Sequence, residues 1–184
     1  LGARSWDVWI RTRMTEDAPW ENPVKHGVWV ESDWNLLTVS PNYTTSDGLE
    51  LYFAATRTRR PEGYGDADIY VKKRANIEDD WGPAENLGPT VNGPYDETSA
   101  AVSPDGLELY FSGWYNNARP GGIGRADLWV TRRTSREDPW GVPVNLGSSV
   151  NTPEFDARPK LFANGRLLFF ESDRPGGFGD TDLY

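Results

Sequence analysis

The sequence predicts an all-β fold made of four-stranded antiparallel units repeated in tandem. Three observations predict it. The stretch from Asp96 to Trp140 holds three short runs, SAAV, LELYFSG and ADLWVTR, rich in aromatic and branched residues and bounded by turn residues. The same block recurs on both sides of it, so a repeat governs the whole chain. Finally, 19 glycines and 14 prolines punctuate the 184 residues, and no helical period is visible.

The repeat is read from its fixed points. Trp20, Trp81 and Trp140 recur at intervals of 61 and 59 residues. The Asp that opens the third run recurs at Asp7, Asp68, Asp127 and Asp182, at intervals of 61, 59 and 55. With the strands of a unit lettered a to d, residues 1–27 supply c and d of a partial unit. Residues 28–88 and 89–147 are full units, and residues 148–184 supply a, b and c. That makes thirteen strands. The a–b turn is SPDG at Ser103–Gly106, where Pro104 presets φ, Asp105 bonds nearby backbone and Gly106 takes positive φ. In the unit before it, NYTTS (residues 42–46) reads as an insertion ahead of Asp47 and Gly48.

Four antiparallel strands per unit, with recurring aromatics, suit the blades of a β-propeller. Two whole blades and two partial ones do not close a ring of the usual four to eight. The expectation is a portion of a longer polypeptide; the alternative is two copies completing a ring as a homodimer. Nothing resembles an apolar membrane span. The net charge of −9 argues against nucleic acid, which needs clustered cations. Residues 72–74 and 132–133 are basic, but acids accompany them, and they read as a solvated rim. Without cysteine there is no disulfide and no thiolate metal site.

In such a blade the b–c and d–a connections emerge at one end and the a–b and c–d connections at the other. The first end collects the loops that vary most, where binding groups usually sit. The candidate binding residues are therefore Trp34, Tyr95, Asp96, Glu97, Trp114, Tyr115, Asn116, Asn117, Phe155 and Asp156. Trp114 and Tyr115, beside Asn116 and Asn117, do not recur and look like a carbohydrate-stacking or protein-contact patch. Acid pairs such as Asp96 and Glu97, or Glu154 and Asp156, could act as general acid and base. Because they recur, the expected role is a bond to neighbouring backbone or to an Arg. The D-x-D pairs Asp66 with Asp68 and Asp180 with Asp182 have a Ca²⁺-like look, but Arg125 replaces the first acid in the middle unit. No cofactor is therefore expected; Asp68, Asp127 and Asp182 should bond loop backbone or pair with Arg60, Arg119 and Arg174. His26, the single His, stands where the other units have Leu87 and Leu146, and reads as a half-buried strand residue.

SPDGLELYFSG, then RPGG-x-G-x-x-DLWV, then DPWG-x-P-V-NLG, resembles the TolB-type, WD-repeat-like β-propeller repeats of bacterial proteins. The resemblance covers essentially the whole chain, departing from the pattern at residues 162–164. It implies a propeller, a periplasmic or secreted setting, and binding to proteins or glycans. It carries no catalytic residues. The expected function is a non-enzymatic module presenting its b–c and d–a loops to a protein or glycan. The alternatives are a glycan-acting hydrolase or lyase with axial carboxylates, and a structural segment of a larger propeller.

Overall fold

The computed structural model describes residues 9–10, 13, 15, 17–25, 35–38, 44–56, 63–113 and 119–184. Among the described residues the chain is all-β, with no helix, and every sheet is an open antiparallel meander. The first sheet pairs β1 (Trp9–Ile10) with β2 (Val24–Lys25). The second runs β3 (Asn35–Thr38), β4 (Glu50–Thr56), β5 (Ala67–Lys73), β6 (Glu85–Asn86). The third runs β7 (Thr98–Val102), β8 (Glu108–Ser112), β9 (Leu128–Arg132), β10 (Val144–Asn145). The fourth has β11 (Asp156–Phe162), β12 (Leu167–Ser172) and β13 (Asp182–Leu183). No helix of the described residues is long and apolar enough to cross a membrane. His26 and Arg60 lie outside the described residues.

The turns explain why the meander reverses where it does. Ser103 donates its hydroxyl to Asp105 (2.6 Å), Asp105 accepts Leu107 N–H (3.0 Å), and Ser103 Oγ accepts Glu108 N–H (2.8 Å). Gly106 sits at φ 77°, open to glycine at no steric cost. The preceding unit builds the same turn from Thr45, Ser46, Asp47 and Gly48: Thr45 donates to Asp47 (2.6 Å), and Asp47 accepts Leu49 N–H (3.1 Å). This corrects the register expected at residues 42–46. Thr45 and Ser46 belong to the turn, because a Thr hydroxyl does what Ser103 does, so the extra residues fall before Thr45.

At the opposite end of the second, third and fourth sheets a carboxylate organises the b–c loop. Asp68 accepts the N–H groups of Tyr64 and Gly65, Asp127 those of Ile123 and Gly124, and Asp182 those of Phe178 and Gly179. A second device joins strand c to the next connection. The buried Asn92 accepts Ile69 N–H (2.9 Å) and donates to Ile69 C=O (2.9 Å) and to Asn86 (2.8 Å). Asn151 repeats all three bonds with Leu128 and Asn145. Both side chains extend the strand ladder with an amide, so no buried backbone group of that residue goes unpaired.

The second, third and fourth sheets pack face to face. β7 lies against β3, β4 and β5, and β11 lies against β7, β8 and β9. The core joins Tyr52, Ile69 and Val71 of the second sheet to Val102, Leu109, Phe111 and Trp129 of the third. All five residues of β7 are buried although it is an edge strand, whereas Val144 on the other edge strand, β10, is exposed. One edge of the third sheet therefore faces inward and the other outward.

The basic stretch before Trp140 departs in one residue from the expected solvated rim. Arg132 is exposed and pairs with Glu108, but Arg133 is buried. Its guanidinium lies 4.4 Å from the Trp140 ring and donates to Glu50 of the preceding sheet (2.5 Å), to Gly106 C=O (2.7 Å) and to Arg136 C=O (2.8 Å). Trp140 in turn meets Tyr52 edge-on at 5.9 Å. The stack recurs as Arg74 over Trp81 and Arg13 over Trp20. Planar guanidinium suits this place because it stacks and donates in its own plane at once.

Candidate functional site

The connections sort to two ends of the sheets. At one end the a–b turns and c–d loops meet: Ser46 donates to Pro104 C=O (2.7 Å), Arg136 donates to Asp105 C=O (2.9 Å), and Arg136 pairs with Asp47. Burial works against ionisation of Asp47, yet bonds from Thr45 and Leu49 N–H and the Arg136 guanidinium hold its carboxyl down to about 2. At the other end the b–c and d–a connections meet, and there Tyr95, Asp96, Glu97, Phe155 and Asp156 fall.

Tyr95, Asp96 and Glu97 stand together in the connection leading into β7. Asp96 accepts Ala67 N–H (3.1 Å), which locks this connection to the start of strand β5. Burial raises its carboxyl above the ordinary carboxylate range. Glu97 is only 1% exposed and pairs with Arg119 at 2.7 Å. Arg119 also donates to Val91 C=O, and its guanidinium lies 5.6–5.8 Å from the rings of Tyr95, Phe111 and Trp129. Gly65 passes so close to Tyr95 C=O that a Cβ there would overlap it.

The next connection repeats the plan one sheet on. Asp156 is fully buried, pairs with Arg174 at 2.7 Å and accepts from the Thr152 hydroxyl at 2.8 Å. Arg174 also donates to Val150 C=O (2.7 Å), as Arg119 does to Val91. Phe155 is buried against Ala126 and Ala157, and its N–H donates to Asp173 (2.7 Å). Arg125, where its counterparts are Asp66 and Asp180, bridges Glu154 (2.9 Å) and Asp173 (2.5 Å) at the surface.

Asp96, Glu97 and Asp156 thus bond backbone or an Arg, the role their recurrence suggests. Of the two roles expected for Asp68, Asp127 and Asp182, the structure shows the bonds to loop backbone. Arg119 and Arg174 pair with Glu97 and Asp156, not with Asp127 and Asp182, whose oxygens already accept loop N–H groups. Glu97 and Asp156 occupy corresponding places in successive units, each with its own Arg. Trp34, Trp114, Tyr115, Asn116 and Asn117 lie outside the described residues.

No family model matches the chain, and no curated protein matches it.

The site must accordingly be judged on its own chemistry. A cavity of about 360 Å³ lies at the edge of β6, between Lys73, Glu85 and Thr90 and the loop carrying Arg133, Arg136 and Asp138. Its aromatic walls, Tyr52 and Trp140, are buried in the core and offer no open ring face. Sequence reasoning passed over this edge because its loops are near copies of one another. It also passed over Asn92 and Asn151, for which a signal existed: N-L-G-x-x-V-N occurs twice, at 86–92 and 145–151.

Glu97 is the most perturbed acid of the loop end. Burial pushes its carboxyl up to about 8, against the pull of Arg119, and its Oε2 is buried with no hydrogen-bond partner among the described residues. The ordinary value is 4.5, so the folded state holds this proton where the unfolded chain has lost it. Stability from this group is complete below 4.5 and is lost as the pH rises towards 8. Between about pH 5 and about pH 7 the loss should be about 2–3 kcal/mol. Glu97→Gln, which keeps shape and removes the titration, should flatten that slope in urea unfolding measured across the range. An unchanged slope would show that burial does not govern this carboxyl.

Proposed function

We propose that the chain is a β-propeller segment of four-stranded blades that binds a protein or glycan partner through its b–c and d–a loops, without catalysis. The observation that carries the blade arrangement is the asymmetry of the third sheet. Its first strand, β7, is buried throughout, whereas on its last, β10, Val144 is exposed and Asn145 half-buried. A blade has such an inner and an outer edge, whereas a free-standing sheet has two equivalent ones. In this reading strand a lines the axis and the b–c and d–a loops surround one mouth of it.

Commitment of the acids favours binding over hydrolysis. A glycosidase needs two carboxylates facing one bond across a set gap. Asp96, Glu97, Glu154 and Asp156 each serve a backbone or Arg contact, and Asp156 and Glu97 are closed off from solvent. The raised Glu97 carboxyl resembles a general acid, but at 1% exposure no substrate reaches it. What remains to distinguish one loop from another is sequence that does not recur: Trp114, Tyr115, Asn116 and Asn117, with Tyr95 and Trp34. Their aromatic and amide chemistry suits sugar rings or a protein contact. The likeness to TolB-type repeats adds a periplasmic or secreted setting.

A glycan array read beside capture of extracellular proteins tests this. Trp114→Ala should weaken the ligand found by about tenfold or more, the loss typical of a central aromatic anchor. Hydrolysis of an arrayed glycan, or full binding by both Trp114→Ala and Tyr115→Ala, would overturn the proposal.

A further inference from the structure

We propose that the exposed face of the fourth sheet binds the Arg13–Trp20 loop of a second copy of this chain, repeating between copies the contact that Arg133 and Trp140 make with the second sheet. The inference starts from what covers each sheet. In the second sheet Tyr52 and Ile69 share a face, and both are 0% exposed, covered by the third sheet and its Trp140. Their counterparts in the third sheet are Tyr110 on β8 and Leu128 on β9, strands against which β11 packs. In the fourth sheet the counterparts are Phe169 and Leu183. The pairing of Phe162 with Leu167 and of Glu171 with Leu183 puts Phe162, Leu167, Phe169 and Leu183 on one face. Leu183 is 64% exposed and Leu167 is 51% exposed. Phe162 meets Phe169 edge-on at 5.2 Å, which keeps the patch ordered.

The complementary half of that contact is also present on the chain. Trp140 is 8% exposed because Tyr52 lies under it; Trp20, in the corresponding place with Arg13 stacked on it at 4.6 Å, is 57% exposed. One molecule therefore carries an indole-bearing loop of the type that covers a sheet and a sheet face of the type that is covered. Joining them between copies is a head-to-tail, heterologous contact. Chemistry separates it from the internal one. Glu50, which receives Arg133, corresponds to Leu167, so the contact between copies lacks the buried ion pair and rests on apolar burial. Association should accordingly resist salt.

Sedimentation equilibrium of the 184-residue chain tests this with two surface variants, Trp20→Ser and Leu183→Asp, each checked for an unchanged β-sheet spectrum. Wild type should self-associate at both low and high salt. Each variant alone should weaken association about tenfold or more, as loss of a central anchor does. An equimolar mixture of the two should regain heterodimer, because an intact Trp20 on one molecule meets an intact Leu183 on the other. A wild type that is monomeric at its highest soluble concentration would overturn the proposal. So would a Trp20→Ser variant that associates as wild type does, which would indicate a face pairing with itself, or a mixture that stays monomeric.

Discussion

Arg133→Ala is expected to destabilise the fold by about 3–5 kcal/mol, the loss seen when one member of a buried ion pair is removed. Several bonds fail together. Glu50 keeps its charge in a buried place without the guanidinium, and the carbonyls of Gly106 and Arg136 lose their donor. Trp140 loses the plane stacked on it. Lysine should not rescue, since an ammonium cannot serve Glu50 and two carbonyls in one plane. The charge can be removed in a balanced way: Glu50→Leu with Arg133→Met should recover much of the loss, because a buried pair exchanged for apolar packing is often neutral. The fourth sheet already carries Leu167 at the place of Glu50. Urea unfolding followed by tryptophan fluorescence reads the whole cycle. A loss below about 1 kcal/mol for Arg133→Ala, the scale of an exposed pair, would contradict a buried clasp between sheets.

Gly124→Ala is the second large effect expected, at about 3 kcal/mol or more, beyond the ordinary cost of overpacking because the obstruction is backbone. A Cβ on Gly124 would overlap the carbonyl oxygens of Thr152 and Glu154, so the two connections must part. That separation also breaks the bond from Arg125 N–H to Glu154 C=O (3.0 Å). Gly179 holds the same place in the fourth sheet, and nothing lies within 4 Å of a Cβ there. Gly179→Ala should therefore be near neutral, within about 0.5 kcal/mol as at other open surface positions. Thermal denaturation of the two variants side by side makes the comparison. Equal effects would mean that conformational freedom, not the close approach of the d–a connection, decides the cost at Gly124.

These two sites mark where the sequence could be read and where it could not. Strand runs, the SPDG turn and the Asp that opens strand c are local patterns, and local hydrogen bonds fulfil them: Asp127 finds its partners three and four residues away. The all-β character follows from such patterns. Arg133 was not legible as a core residue because its partner, Glu50, stands 83 residues earlier, while its sequence neighbours are charged and suggest a rim. That an Arg would serve Glu97 and Asp156 was legible, but not which: Arg119 and Arg174 approach from another connection, and only the fold decides which carboxylate has oxygens to spare. The first two residues of the turn at Thr45 were placed five positions too early because Ser40 and Pro41 match the SP of SPDG better in letters than Thr45 and Ser46 do in chemistry. Asn92 and Asn151 were legible, since their motif recurs without a gap.

Hydrogen exchange resolved by residue tests the blade arrangement most directly. The account predicts graded protection across the third sheet. Amides of β7 should exchange most slowly despite its edge position, with β8 and β9 following and β10 fastest, because β7 is enclosed by β4 and β11 while β10 faces outward. Slow exchange confined to β8 and β9, with β7 and β10 equally labile, would describe a sheet with two free edges and would contradict it.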